Sequence, residues 1–83
     1  MDIKLKQVHD MVEHLVSDTT VPKNIRKVLT DVIARLKGQE ELNVKVSASV
    51  YLIESISDDI NMPSHARTQI WAIISALEGL KGQ

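Results

Sequence analysis

Val21-Pro22-Lys23-Asn24-Ile25-Arg26 is answered forty-one positions later by Met62-Pro63-Ser64-His65-Ala66-Arg67. Each copy sets an apolar residue before a proline and an arginine four places after it. The residue before a proline is pushed out of the helical region, and a proline in the first turn of a helix gives up no hydrogen bond. Both copies therefore read as an extended residue followed by a helix start. Upstream of them stand Ser17-Asp18-Thr19-Thr20 and Ser57-Asp58-Asp59-Ile60-Asn61, whose side chains compete for backbone hydrogen bonds. One helix ends before each proline and another begins with it.

Outward from these turns the apolar residues recur at helical spacing. Leu5, Val8, Val12, Leu15 and Val16, widened by Met11, make a first helix over about residues 2–17. Ile25, Val28, Leu29, Val32, Ile33 and Leu36 make the second, with Gly38 expected as a left-handed terminal residue after Lys37. Gln39 to Leu42 is a short linker, and Asn43 is the expected N-cap of a third helix over about 44–57, carrying Val46, Val50, Ile53 and Ile56. The fourth follows Met62-Pro63, buries Ala66, Ile70, Ile73, Ile74 and Leu77, and closes at Gly79.

Shifted back by forty-one, the second half falls on the first: Glu54 on Glu13, Asp59 on Asp18, Pro63 on Pro22, Arg67 on Arg26, Ile70 on Leu29 and Gly79 on Gly38. The expected fold is all-α: two antiparallel helical hairpins, about 2–38 and about 43–79, in one domain spanning 1–83. They pack either as a four-helix bundle or as a HEAT-like stacked pair. A period near forty with two helices per unit suits HEAT or armadillo repeats. The Asp, Pro and Arg around the turn also resemble the HEAT pattern, although the turn between Asp and Arg is longer here. Asp18, Pro22 and Arg26, and again Asp59, Pro63 and Arg67, are expected to fasten the turns by pairing each aspartate with its arginine.

Ser17-Asp18 through Val21-Pro22-Lys23-Asn24-Ile25-Arg26, and more specifically Asn61-Met62-Pro63-Ser64-His65-Ala66-Arg67-Thr68 with Ile70-Trp71, resemble the small archaeal helical proteins of uncharacterised protein family 0147. The likeness covers essentially the whole chain. It implies a compact all-α domain of archaeal type with no established activity, and it carries over no catalytic residue.

Composition narrows the function. Ten basic and eleven acidic residues leave a net charge of -1, which argues against bulk attraction to nucleic acid or to an anionic membrane. The absence of cysteine excludes disulfides and thiolate metal sites and fits a reducing compartment. No run approaches the eighteen apolar residues that a membrane span needs. A soluble, cytoplasmic protein is the expectation.

His14 with Asp10 and Asp18, and His9 with Glu13, have the spacing of helical metal ligands. Neither pair recruits a third strong ligand from another element, so both read as a solvated helix face, with no metal and no cofactor. None of Ser47, Ser49, Ser55, Ser57, Ser64 and Ser75 stands in a glycine-rich elbow, so the chain is not expected to be an enzyme. Lys23, Lys27 and Arg35 form a basic stripe on the second helix, interrupted by Asp31 and without interleaved aromatics for base stacking.

The strongest asymmetry between the halves is apolar. Tyr51 and Trp71 lie far from their core stripes, and the matching first-half residues are Asp10 and Thr30. With Leu52 and Ala48 they form the expected partner surface. The leading expectation is a non-catalytic protein interaction or assembly module, contacting a second copy or another protein. The alternative is a small nucleic-acid or ribonucleoprotein accessory using the basic stripe.

Overall fold

The computed structural model describes residues 2–81. Its elements are four helices: α1 (Ile3–Val16), α2 (Lys23–Leu36), α3 (Leu42–Glu54) and α4 (Ser64–Glu78). Asp2 caps α1 by accepting the Lys4 amide, so the first aspartate meets the positive end of a helix dipole. Pro22 and Pro63 occupy the N-cap positions of α2 and α4 with ψ near 150°, and their carbonyls accept the first helical bonds from Arg26 and Arg67. The doubled proline starts both helices, as its chemistry requires.

Two boundary expectations give way. Asn43 lies inside α3, whose N-cap is Glu41, and the helix ends at Glu54 instead of 57. Ser55 and Ser57 turn their hydroxyls back onto the carbonyls of Leu52 and Glu54, and this competition for backbone groups ends the helix early. Gly38 and Gly79 are not left-handed: Gly79 has φ -66°, and Gly38 also keeps an ordinary φ. At Gly38 the missing side chain relieves crowding instead, since a Cβ there would stand 3.2 Å from the Arg35 carbonyl oxygen.

Each helix packs on two others: α1 on α2 and α4, and α3 on α2 and α4. Stacking two hairpins as solenoid units would have set α1 against α3 and α2 against α4. The four helices instead close into an antiparallel ring, a four-helix bundle rather than a HEAT-like pair. The short axes of 19 and 18 Å accommodate two helices in each direction. At the centre Val12, Leu15, Ile25, Leu29, Val32, Leu36, Val46, Ile53, Ile70, Ile73 and Leu77 are fully buried. All of these belong to the four periodic stripes, but Val16, Val28, Ile33 and Ile74 of the stripes are only partly buried, and Val21, Met62 and Leu80 join the core from outside them.

The ring has a consequence for the repeat. Exchanging α1 with α3 and α2 with α4 maps every helix contact onto another, so the hairpins are related by an approximate two-fold axis along the bundle. Both Asp-to-Pro turns therefore lie at one end of it, and the α2–α3 connection lies at the other. At that second end Lys45 of α3 donates to the carbonyls of Leu36, at 3.1 Å, and Gly38, at 3.2 Å. A cation there satisfies the last carbonyl of α2, that of Leu36, and faces the negative end of its dipole.

Candidate functional site

The two turns share one internal design. The backbone carbonyls of Asp18 and Asp59 accept the amides of Val21 and Met62, while their carboxylates accept the amides of Thr20 and Asn61 at 2.9 and 2.8 Å. Short side chains that fold back on their own backbone in this way explain why aspartate stands in both copies. The expected aspartate–arginine ion pairs take another form. Arg26 donates through Nε to the Val21 carbonyl, and Arg67 through a terminal nitrogen to the Asp59 carbonyl, both at 3.0 Å. The arginines thus fasten the turns by their backbones. The carboxylates are left for other partners, because each is already turned towards the amide two residues on.

Those partners come from the opposite hairpin. His65 Nε2, at the start of α4, lies 2.8 Å from Asp18 Oδ2, and Asn24, at the start of α2, donates to Asp59 Oδ2 at 3.3 Å. Asn24 and His65 occupy the same place in the two copies, so the bonds are exchanged crosswise about the pseudo-axis. The Thr20 hydroxyl donates to the other Asp18 oxygen at 2.6 Å. With that hydroxyl, His65 and the Thr20 amide all stabilising the anion, the Asp18 carboxyl is pushed down from 3.8 to about 2. Nothing in a single helix period announces such a contact, but the forty-one-residue register places both donors opposite the two aspartates.

The expected partner surface divides. Tyr51 is 75% exposed and Trp71 56% exposed. Leu52 instead packs against the core and shares a groove with Asp31, Ala34 and Arg35 of α2, and Ala48 is half-buried. Gln69, Ala72 and Ala76 mark the flank of α4 turned to α1. At about 100° per residue Trp71 falls on the other flank, towards α3, with Tyr51 on the outer side of that neighbour. Leu80 is buried beside Lys4, Gln7, Val8 and Met11 of α1, so Trp71 does not cover it. The turn residue Ile60, which no periodic stripe includes, is 90% exposed.

Lys23, Lys27 and Arg35 are exposed, but Arg35 stands 3.4 Å from Glu40, and Asp31 shares its groove. Among the described residues one cluster has metal-ligand chemistry: His9, Asp10 and Glu13. The solvated-face reading fails for His9, which is 9% exposed on the flank of α1 turned to α2. The neighbouring helix sets this depth, which a lone histidine beside an apolar stripe does not reveal. Asp10 takes a bond from His9 and another from Lys6, at 3.1 and 3.0 Å, and these hold its carboxyl below the ordinary value. His14 is exposed and borders a shallow groove between α1 and α4 with Gln7, Asp10, Met11, Gln69 and Ala72.

Four antiparallel helices closed around an aliphatic core define a small all-α bundle protein. The chain belongs to the uncharacterised protein family UPF0147, which it matches over residues 1–80. It is 45% identical to the UPF0147 protein MJ1419 of Methanocaldococcus jannaschii over 78 residues, 93% of this chain and 84% of that one. Its likeness to a UPF0147 protein of Sulfurisphaera tokodaii is 40% over 81 residues, covering 96% and 91%. The crystal structure of MMP1188, a protein of unknown function, superposes with a TM-score of 0.90 at 44% identity over 95% of this chain and 91% of that one. That of a UPF0147 protein from Thermoplasma acidophilum gives 0.89 at 35%, over 94% and 93%. No helix among the described residues is long and apolar enough to cross a membrane.

Proposed function

We propose that the chain is a non-catalytic, cytoplasmic assembly module whose α3–α4 flank seats a second copy of itself. The observation that carries this reading is the exposure of Trp71 and Tyr51, 56% and 75%, where the first hairpin has Thr30 and Asp10. A large aromatic in water gives up the favourable burial that a partner supplies, and aromatics dominate the energetics of protein contacts. The pseudo-symmetric fold does not need them, because the first hairpin forms with Thr30 and Asp10 in their places.

Sedimentation velocity across a wide concentration range tests the proposal, with wild type beside Trp71→Ala. The expected result is concentration-dependent association in the wild type that the substitution weakens. A wild type that stays monomeric throughout overturns self-association and moves the reading to a different protein partner. The basic stripe supports a second reading, since Lys23 and Lys27 are exposed outside any ion pair among the described residues. A salt-dependent gel shift with RNA or DNA, lost in Lys23→Ala/Lys27→Ala, would favour that reading.

A further inference from the structure

His9 and Glu13 stand one helical turn apart on α1. The ring of His9 touches Asp10 through Nδ1, at 3.1 Å. An ionised carboxylate only accepts hydrogen bonds, so Nδ1 is the donor to Asp10. Nε2 is buried and makes no hydrogen bond. Its neighbour is the Glu13 carboxylate, with Oε2 3.4 Å away.

A ring nitrogen without a hydrogen bond and a carboxylate oxygen that face one another leave a place for a cation. A hydrogen bond from a charged imidazole would draw the atoms to about 2.7–2.9 Å. A tetrahedral ion with metal–nitrogen and metal–oxygen distances of about 2.0–2.2 Å holds adjacent ligand atoms about 3.4 Å apart. The observed separation is the second of these. Asp10 then takes the part of the outer carboxylate that fixes the tautomer and orientation of a metal-bound histidine. Glu13, its side chain 56% exposed, stands on the solvent side of the buried nitrogen.

We propose that His9 Nε2 and Glu13 Oε2 ligate a divalent transition-metal ion of the zinc class, with Asp10 as the positioning residue and water completing the coordination. The pairing is not a requirement of the fold, since the second copy of the repeat keeps Glu54 at the Glu13 position but has Val50 in place of His9. A nitrogen–oxygen donor set suits zinc and its late first-row neighbours rather than magnesium or calcium.

Isothermal titration of the full chain with zinc chloride tests the site, using wild type, Glu13→Gln, Asp10→Asn, His9→Gln and the double variant His14→Gln/His65→Gln. One ion is expected to bind the wild type and the double variant alike. Binding is lost in His9→Gln, falls more than tenfold in Glu13→Gln, and falls roughly tenfold in Asp10→Asn. Glu13 is exposed, so its variant remains informative even if His9→Gln fails to fold. The proposal is overturned by no saturable binding to wild type, by Glu13→Gln binding as wild type does, or by loss in the double variant instead.

Discussion

Asp18 and His65 join the end of the first helix to the start of the last, Oδ2 to Nε2 at 2.8 Å across 47 positions of sequence. The contact fixes how the two hairpins sit at that end of the bundle, and its pseudo-symmetric twin joins Asn24 to Asp59. Because Asp18 is held ionised, the contact responds to acid. Its folded-state pKa, about 2, lies below the ordinary 3.8, so the native state binds the proton less readily than the unfolded chain. The contribution is fully present above the ordinary value and is lost as pH falls through the folded one. Thermal melts of wild type between pH 5 and about 2 are expected to fall more steeply than those of Asp18→Asn, and parallel curves would remove Asp18 from the account.

Arg67 anchors the second turn through the Asp59 carbonyl. A hydrogen bond from a charged group contributes about 1.5–3 kcal/mol, reduced here because the side chain is only half-buried. Arg67→Ala should lower stability by about 1–2 kcal/mol in urea denaturation. Arg67→Lys should not restore it in full, because an ammonium lacks the planar fork that reaches the carbonyl. An unchanged midpoint in the alanine variant would show that the bond is not needed by the turn.

Lys45 holds the end of α2 through two carbonyls. Lys45→Met keeps the aliphatic stem and removes the charge, for an expected loss of about 0.5–1.5 kcal/mol. Amide exchange should quicken in the last turn of α2 and stay as it was at the Asp18 end. Uniform quickening throughout would point to global loosening.

Leu29 and Ile70 are equivalent residues of the repeat, both with no solvent exposure. Truncating either to alanine should cost about 2–5 kcal/mol, a large share of the 5–15 kcal/mol that stabilises a typical domain. Trp71→Ala should change a dilute melt by less than about 1 kcal/mol, since more than half of the side chain is already in water. A large loss there would place Trp71 in the core.

The sequence is most legible where one local rule suffices. Helical spacing identifies Leu29, Val32, Ile53 and Ile73 as core residues, and Pro22 and Pro63 mark helix starts, because these properties depend on a few neighbouring positions. The end of α3 is less legible, since Ser55 and Ser57 compete with the helix for its own carbonyls at a point that periodicity does not define. Ring closure depends on which flank of each helix meets which neighbour, and the stripes fit a stack as well as a bundle. The arginines were expected on carboxylates because charge suggests a charged partner. A backbone carbonyl offers a guanidinium a partner at any residue, so composition cannot find it. His9 is the clearest failure, for its depth is set by a second helix.

The ring order makes each hairpin complementary to itself. The flank that α1 offers α4 belongs to the same hairpin as the flank that α2 offers α3, so two identical half-chains could satisfy every helix contact about a true two-fold axis, as in an isologous dimer. The single chain is such a dimer joined by its α2–α3 connection. Where its halves differ, with His65 against Asn24 and His9 against Val50, it is free to specialise without disturbing the closure.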